Sequence, residues 1–463
     1  MGVIYIYVSF AGHWQLRAAR KSGKVKEPPL LAQAHDAVAA SIRLVTLVAS
    51  GMHWTPSRPF ARLGRYLGYP GEWSVFSATR SADRRHCVPA CKCRDHTVGF
   101  VQSSCVVQLS SQITEPLTAQ IPDTATMKGI QIKEYVQGPL DLKITSLPDP
   151  TPQADQYTIA IHATATNFFD LLQIRGKYQH QPPLPWISGS EFSGQIIATP
   201  TNSRNPKFKV GDKVFGAAQG GYAEKVCARE SQLKPVPKGW SYFEAAGLFV
   251  TMPTSYAGLV TRCNLKKGDW VLVHAAAGGV GLAAVQIAKA LGATVVATAG
   301  SKHKLDVAKR FGADYAVDYN QEDWAVQVKK LTPKGRGVDI VYDPVGLIDK
   351  STKCIAWNGR LCIIGYTGGP IEKMATNKIL LKNISVIGLH WGAYAINEPE
   401  RIDQVWGELF KLFESRKVVG TNYTDKEYVG LESVPQALEA LGSRGTWGKV
   451  VIKVPQKEGA SKL

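Results

Sequence analysis

The stretch Trp270–Gly292 reads WVLVHAAAGGVGLAAVQIAKALG and determines how the larger part of this 463-residue chain folds. It opens with a short apolar run, Trp270–His274, which is typical of a buried parallel strand. Glycines and alanines follow, and apolar residues then recur with a helical period from Leu282 to Ala290. A strand, a glycine turn and a helix in this order suit the pyrophosphate of a dinucleotide, because backbone can approach the phosphates and the helix N-terminus offers free N–H groups.

The spacing within the turn fits a dinucleotide-binding motif. Ala276-x-Gly278-x-x-Gly281 matches G-x-G-x-x-G with alanine in place of the first glycine. A lone glycine pattern is weak evidence, and an ordinary tight turn between a strand and a helix is the alternative. The position of the pattern, directly after a strand and before a helix, favours the dinucleotide interpretation.

Strands alternate with helices from about Gly268 to Leu389, which predicts a doubly wound parallel sheet of the Rossmann type in an α/β protein. The six predicted strands are Trp270–His274, Val295–Ala299, Tyr315–Asp318, Asp339–Tyr342, Arg360–Ile364 and Ser385–Leu389. Upstream, to about Tyr256, short apolar runs separated by Pro, Gly and Asn predict a mainly-β part.

The residues after the second predicted strand distinguish the two nicotinamide dinucleotides. An acid in this region binds the ribose hydroxyls of NAD, whereas small polar or basic residues accommodate the 2′-phosphate of NADP. The strand is followed by Gly300-Ser301-Lys302-His303-Lys304, without an acid. Ser301 can donate to a phosphate oxygen, and Lys302 or Lys304 can neutralise it. Because lysine opposes the helix dipole at a helix start, a bound anion explains these residues better than an exposed cap does, and we expect NADPH.

Residues 1–126 differ from the rest of the chain, since they lack sustained periodicity, are rich in arginine and serine, and are poor in acids. They could be a disordered or transit-like extension, a small unfamiliar domain, or upstream sequence wrongly joined to a gene that begins at Met127. We favour the last interpretation. Beyond them we expect a mainly-β domain at 127–255, a dinucleotide-binding domain at 256–390, and a return to the first domain at 391–463.

Eight cysteines occur at irregular spacing, which argues against a disulfide framework and for a reducing compartment. The densest group lies in HCVPACKCRDH, at residues 86–96. Its Cys-x3-Cys-x-Cys spacing lacks the second paired half of a zinc site. We therefore interpret these cysteines as incidental and expect no metal centre here.

The formal net charge of +18, from 55 basic and 37 acidic residues, suits a phosphorylated cofactor or an acidic substrate such as an acyl-CoA. Nucleic-acid binding is disfavoured, because the sequence has no aromatic-and-basic RNA motif. No apolar run of about 18 residues occurs, so we expect no membrane-spanning helix.

Six further motifs belong together: NFFDLLQIRGKY at 167–178, GSEFSG at 189–194, GDKVFG at 211–216, AAAGGVG at 275–281, YDPVG at 342–346 and GRLCIIG at 359–365. With this set the chain from Met127 onward resembles the medium-chain dehydrogenase/reductase superfamily, in its quinone oxidoreductase (zeta-crystallin-like) branch. The resemblance implies that the mainly-β part is a GroES-like catalytic domain beside the Rossmann domain. It also implies a homo-oligomer.

The same resemblance implies a reductase that works without zinc. Zinc alcohol dehydrogenases of the superfamily carry G-H-E-x-x-G, whose histidine binds the catalytic metal. Ser190 stands in that place here, and Asn167 stands in the place of the first zinc cysteine. The structural zinc lobe of four cysteines is absent, since only Cys227 occurs in the corresponding region. Zinc needs three protein ligands and an open position, which this pattern does not provide.

For the substrate cleft, the resemblance implies Asn167, Asp170 and Tyr178. The phenol of Tyr178 would donate to the developing oxyanion or protonate the adduct; a buried tyrosine bonded to backbone is the alternative. Lys304 and Tyr319 match residues that hold the 2′-phosphate. The full set expected at the cofactor is Thr254, Ala277, Gly278, Gly279, Val280, Gly281, Ser301, Lys302, Lys304, Tyr319, Gly365, Tyr366, Leu389 and Lys449. Asp343, before Pro344, is interpreted as a structural turn, or at most as a residue at the edge of the pocket.

Hydride transfer without a metal requires an acceptor that needs little activation, such as a quinone or an α,β-unsaturated carbonyl, because the product anion is delocalised. Two alternatives remain open: a peroxisomal reductase of 2-enoyl thioesters, and an NADPH-binding protein with a non-catalytic or nucleic-acid-binding role. Ser461-Lys462-Leu463 at the C-terminus is a signal read by the peroxisomal import receptor. We therefore expect a peroxisomal protein, with a cytosolic fraction also compatible.

Overall fold

The computed structural model describes residues 126–456. The predictions made for the N-terminal extension, for the cysteine-rich stretch at 86–96 and for the targeting signal at 461–463 lie outside the described residues. Within the described part, three sheets account for all the strands, and two of them carry the site described below.

A six-stranded, fully parallel sheet confirms the predicted Rossmann fold. Its strands run in the order β11-β10-β9-β12-β13-β14, which is the doubly wound order with the chain reversing beside the first strand. All six predicted strands are present, with ends that shift by a few residues. They are β9 Trp270–Val273, β10 Thr294–Ala299, β11 Tyr315–Asp318, β12 Val338–Asp343, β13 Ile355–Ile363 and β14 Ser385–Gly388.

Helices cover both faces of this sheet, because successive side chains of each buried strand point to opposite faces. In β9, Val271 and Val273 enter one apolar core, and Leu272 between them enters the other. The strand therefore reads as continuously apolar rather than alternating. The helices of this region are α4 Gly279–Ala290, α5 Lys302–Arg310, α6 Trp324–Leu331, α7 Ile348–Ser351, α8 Asn377–Lys382, α9 Tyr394–Asn397 and α10 Pro399–Glu414.

The mainly-β part contains a seven-stranded sheet and a three-stranded antiparallel sheet. Strand β16, some sixty residues after the last strand of the parallel sheet, pairs antiparallel with β3 and so returns the chain to this part. The strands are β1 Thr126–Ile132, β2 Ile144–Pro148, β3 Gln156–Ala165, β4 Trp186–Ile187, β5 Glu191–Ala198, β6 Lys213–Ala217, β7 Lys225–Arg229, β8 Leu233–Pro235, β15 Tyr428–Val429 and β16 Val451–Lys453. Helices α1 Phe168–Gln173 and α11 Val434–Gly442 pack beside them.

The prediction that strand-like structure continues to about Tyr256 is wrong. Helices α2 Tyr242–Ala245 and α3 Leu248–Tyr256 occupy this region, and a π-helical turn continues from Ala257 to Arg262. Ser241 caps the first helix by accepting the N–H of Glu244. Pro253 and the nearby threonines resemble turn signals in sequence, but burial of this segment overrides their local preference.

Gly194 illustrates how tightly the seven-stranded sheet is packed. A Cβ atom there would clash with the carbonyl oxygen of Ala160 and lie 2.8 Å from Cγ2 of Ile159. We expect Gly194→Ala to lower the free energy of unfolding by about 2 kcal/mol, because backbone cannot move aside cheaply. The matched control is Gly138→Ala, where no atom lies within 4 Å of the new Cβ. Urea denaturation checks this, and equal midpoints for the two variants would contradict it.

Candidate cofactor site and cleft

The glycine turn has the geometry that a bound pyrophosphate requires. Gly278 is the N-cap of α4 and supplies no side chain to its first turn. Within residues 126–456, the N–H groups of Val280 and Gly281 have no hydrogen-bond acceptor, so they remain available to an anion, whereas Gly278 pairs with Gly448 in an isolated parallel bridge. A Cβ on Gly281 would clash with the carbonyl oxygen of Ala275, which explains why this position must be glycine.

A second cluster lies where β10 ends. Ser301 is the N-cap of α5 and accepts the N–H of Lys304 at 3.4 Å. The Nζ of Lys304 donates to the carbonyl of Arg444 at 2.6 Å. Burial and the Arg444 charge lower the pKa of Lys304, and burial raises the pKa of Tyr319. The cationic groups of Lys304 and Arg444 thus lie within each other's field, an arrangement that a bound anion would relieve.

Lys302 behaves differently from Lys304 although it is only two residues away. Its side chain is 90 % exposed and pairs with Asp306 at 2.8 Å, one helical turn onward. The charge of Lys302 is therefore balanced by a surface ion pair, whereas Lys304 is half-buried against Arg444. Sequence reasoning did not separate the two lysines.

Two of the predicted site residues, Asn167 and Lys449, belong to a closed polar network in which the ammonium of Lys449 has three acceptors. Nζ donates to the carbonyl of Thr166 at 2.7 Å and to Oδ1 of Asn167 at 2.7 Å, and it lies 2.8 Å from Oε2 of Glu191. The same Glu191 oxygen accepts Nδ2 of Asn167 at 3.0 Å. Its other oxygen accepts the N–H of Val250 at 2.9 Å.

The network is almost completely excluded from solvent, since the side chains of Lys449 and Glu191 are 3 % and 0 % exposed. The aliphatic part of Lys449 passes beside Gly247 and Gly279, where it would lie 2.9 Å and 3.0 Å from added Cβ atoms. Lys449 therefore links the start of α4 to the mainly-β part. Its ammonium faces Asn167 and Glu191, and its contact with a cofactor stays a prediction.

Asp170 sits next to this network on α1. Its Oδ2 accepts the N–H of Asn167 at 2.8 Å and the hydroxyl of Tyr222 at 2.6 Å. Burial raises the pKa of Asp170 to about 7, although both hydrogen bonds and the charge of Lys449 act in the opposite direction. Burial and the charge of Asp170 raise the pKa of Tyr178 as well.

Tyr178 is half-buried, and its ring stacks on Phe169 with 5.4 Å between the ring centroids. Thr254 is likewise half-buried, and its hydroxyl donates to the carbonyl of Val250 at 2.6 Å. Val250 is the residue whose N–H binds Glu191, so this helix touches the central network. No described contact tests the roles predicted for Tyr178 and Thr254.

The loop after β12 is built around Asp343. Asp343 is fully buried, and its carboxylate accepts the N–H groups of Val345, Gly346 and Leu347. These bonds confirm that Asp343 builds a turn. Tyr366 lies against this loop, 3.2 Å from the Cβ that Gly346 lacks. Leu389 extends the parallel pairing by donating its N–H to Ile363, and Gly365 follows that strand.

Family models match two segments of the chain: an alcohol dehydrogenase GroES-like domain at residues 153–238, and a zinc-binding dehydrogenase at 279–411. A quinone oxidoreductase-like protein 2 homolog from Nematostella vectensis is 35% identical over 305 residues, which span 65% of this chain and 82% of that protein. The chain belongs to the quinone oxidoreductase branch of the medium-chain dehydrogenase/reductase superfamily.

Other members of the branch agree. Quinone oxidoreductase-like protein 2 from Mus musculus is 38% identical over 250 residues, or 53% of this chain and 71% of that protein. The Escherichia coli quinone oxidoreductase, solved as a complex with NADPH, superposes with a TM-score of 0.63 and 28% identity, over 70% of this chain and 99% of that one. With the open glycine turn and the converging cations, these findings show that this branch member is an NADPH-dependent reductase.

Three residues of the site were not named as candidates from sequence: Glu191, Tyr222 and Arg444. Glu191 lies inside the GSEFSG motif, so a signal for it was present. Tyr222 and Arg444 join partners 52 and 140 residues away, and no local pattern marks them. Between residues 126 and 456, no three His, Cys, Asp or Glu side chains are grouped to hold a metal ion. No helix in that range is long and apolar enough to cross a membrane.

We expect Lys449→Met to lower the free energy of unfolding by about 3–5 kcal/mol, because it leaves the Glu191 carboxylate buried and unpaired. Adding Glu191→Gln to this variant should restore part of the loss, since no charge then stays buried. The control is Lys453→Met, which breaks an exposed pair with Glu427 and should cost less than about 1 kcal/mol. Urea denaturation checks all three, and equal losses for Lys449→Met and Lys453→Met would contradict the prediction.

Proposed function

We propose that the protein is a zinc-independent reductase that transfers hydride from NADPH to quinones or α,β-unsaturated carbonyls. The observation that carries this proposal is the closed network at the cleft. Asn167 and Ser190 stand where zinc relatives have metal ligands. The side chain of Asn167 is hydrogen-bonded to both Lys449 and Glu191. An ammonium already neutralises the one carboxylate of this network, so a divalent cation has no charge to bind there.

The class of acceptor follows from the way in which the residues of the site can stabilise the product anion. Bound NADPH supplies the hydride. Without a Lewis acid, the protein must stabilise the product anion by hydrogen bonding alone, which suffices when the anion is a delocalised hydroquinonate or enolate. The Tyr178 phenol, whose pKa is raised by burial and by the charge of Asp170, is suited to donate to that oxyanion. Thr254, Gly365, Tyr366 and Leu389 would border the nicotinamide.

For the 2′-phosphate, we propose Ser301, Lys304, Tyr319 and Arg444 as its site. Arg444 is an addition to the residues expected from sequence. Its guanidinium donates to the carbonyl of Thr367 at 3.0 Å, and its charge influences both Lys304 and Tyr319. A dianionic phosphate among these groups would pair with two cations at once.

The matched pair Lys304→Ala and Lys302→Ala tests this phosphate site. Lys304→Ala should weaken NADPH binding by about tenfold, the effect of one charge-assisted hydrogen bond. Binding of NADH should not change, because NADH lacks the 2′-phosphate. Lys302→Ala should leave both affinities unchanged, since that lysine pairs with Asp306 at the surface. Nucleotide titration by fluorescence decides between them, and an equal loss from both variants would contradict the assignment.

The acceptor is tested by NADPH oxidation with the full chain, comparing 9,10-phenanthrenequinone with crotonyl-CoA, each with and without a metal chelator. Quinone turnover that the chelator does not affect is the expected result. A preference for crotonyl-CoA would move the assignment to enoyl-thioester reduction. Loss of activity with the chelator would refute the metal-free mechanism. NADPH binding without turnover of either acceptor would favour a non-catalytic role.

A further inference from the structure

The proposed 2′-phosphate site is assembled from two distant segments of the chain. Ser301 and Lys304 lie at the start of α5, whereas Arg444 follows α11, 140 residues beyond Lys304. Arg444 has a φ of +60°, in the left-handed region that residues with a side chain rarely adopt. Such a conformation persists only where the surrounding structure holds it. The contacts that hold this segment against α5 therefore determine the geometry of the site.

Trp447, three residues after Arg444, makes the main apolar contact between this segment and α5. Its side chain is buried, and it shares an apolar cluster with Val307 of α5 and with Ala277 of the glycine turn. The guanidinium of Arg310, in the last turn of the same helix, lies 5.8 Å from the centre of a Trp447 ring. Trp447 therefore joins the segment that carries Arg444 to the helix that begins the phosphate site.

Asp425 fixes both sides of this contact with one carboxylate oxygen. Its Oδ2 accepts the indole N–H of Trp447 at 2.9 Å and lies 2.9 Å from Nε2 of His303, the residue before Lys304 in the first turn of α5. The side chains of His303 and Asp425 are 61% and 40% exposed, so their pairing contributes little as an ion pair. The bond to the buried indole is different, because it sets the orientation of a side chain that has only one polar atom.

We propose that Asp425 is a positioning residue that determines the preference for NADPH over NADH; this inference rests on the proposed 2′-phosphate site. Asp425 acts without contacting the nucleotide. It holds Trp447, and through Trp447 the backbone of Arg444, beside Lys304. A phosphate that pairs with two cations depends on their separation, because a charge-assisted hydrogen bond needs its donor and acceptor within about 3 Å. NADH lacks this phosphate, so its binding does not depend on that separation.

The charge of Asp425 distinguishes positioning from a direct electrostatic effect. A carboxylate repels a nearby phosphate, so a direct effect of Asp425 would weaken the binding of NADPH. Positioning requires only an acceptor for the indole N–H of Trp447, which the amide oxygen of asparagine also provides. The two explanations therefore predict different results when the charge is removed and the acceptor is kept.

The experiment compares Asp425→Leu with Asp425→Asn by fluorescence titration of the full chain with NADPH and with NADH. Asp425→Leu removes the acceptor at similar size. It should weaken NADPH binding by about fivefold, the effect of one lost hydrogen bond, and leave NADH binding unchanged. Asp425→Asn should bind both nucleotides as the wild-type protein does.

The matched control is Asp403→Leu, which breaks another ion pair between the Rossmann region and the mainly-β part. Asp403 lies on α10 and pairs with Lys234 of β8 at 3.2 Å. Because neither residue belongs to the proposed phosphate site, Asp403→Leu should change the affinity for neither nucleotide.

A double-mutant cycle with Arg444→Ala tests the route by which Asp425 acts. Arg444→Ala should weaken NADPH binding by about tenfold, the effect of one charge-assisted hydrogen bond. Adding Asp425→Leu should then cause no further loss, because the cation that Asp425 positions is already absent. Independent, additive losses would contradict the inference.

The inference is overturned if Asp425→Leu leaves NADPH binding unchanged, or if it weakens NADPH and NADH binding equally, as a general loss of structure does. It is also overturned if Asp425→Asn behaves like Asp425→Leu, because the charge and not the acceptor is then responsible. Failure of the proposed phosphate site gives a different pattern, in which Lys304→Ala and Arg444→Ala themselves leave NADPH binding unchanged.

Discussion

The buried ion pair between Lys449 and Glu191 is the interaction on which the cleft depends. Two charges removed from water are tolerated only when every remaining donor and acceptor is used, and here each atom of the pair is. The pair orients Asn167, which begins the helix that carries Asp170. It also brings the stem of Lys449 against Gly279, the first residue of the helix behind the glycine turn.

The same arrangement connects the glycine turn, where the cofactor is expected, with the residues expected to contact the substrate. The segment around Gly448 donates its N–H to Ala277 in the glycine turn at 2.7 Å. Two residues later, the carbonyl of Val450 accepts the N–H of Thr166 beside the cleft at 2.9 Å. A short piece of chain therefore connects the glycine turn with Thr166, beside the residues proposed to contact the acceptor, which is the kind of positioning that hydride transfer requires.

The sequence was sufficient for features that local chemistry determines. The Rossmann strands were predictable because they are buried on both faces, and the glycine turn because its spacing and context are local. Helices 242–256 were missed because tertiary burial outweighed the preferences of Pro253 and its neighbours. Arg444 and Tyr222 could not be found, since their partners lie far along the chain and neither position carries a periodic signal. Lys302 pairs with Asp306 at the surface, whereas Lys304 contacts Arg444. This difference depends on the orientation of the helix, which the sequence leaves open.

The long separation between Lys449 and its partners has a consequence for biosynthesis. Asn167 and Lys449 are 282 residues apart, and the glycine turn lies between them in the chain. On a ribosome the chain is made from its N-terminus, and domains form as their residues appear. The Rossmann sheet can thus assemble early, while Glu191 still lacks its ammonium. During that interval Glu191 has no ammonium to pair with, so the network is completed only after Lys449 has been made.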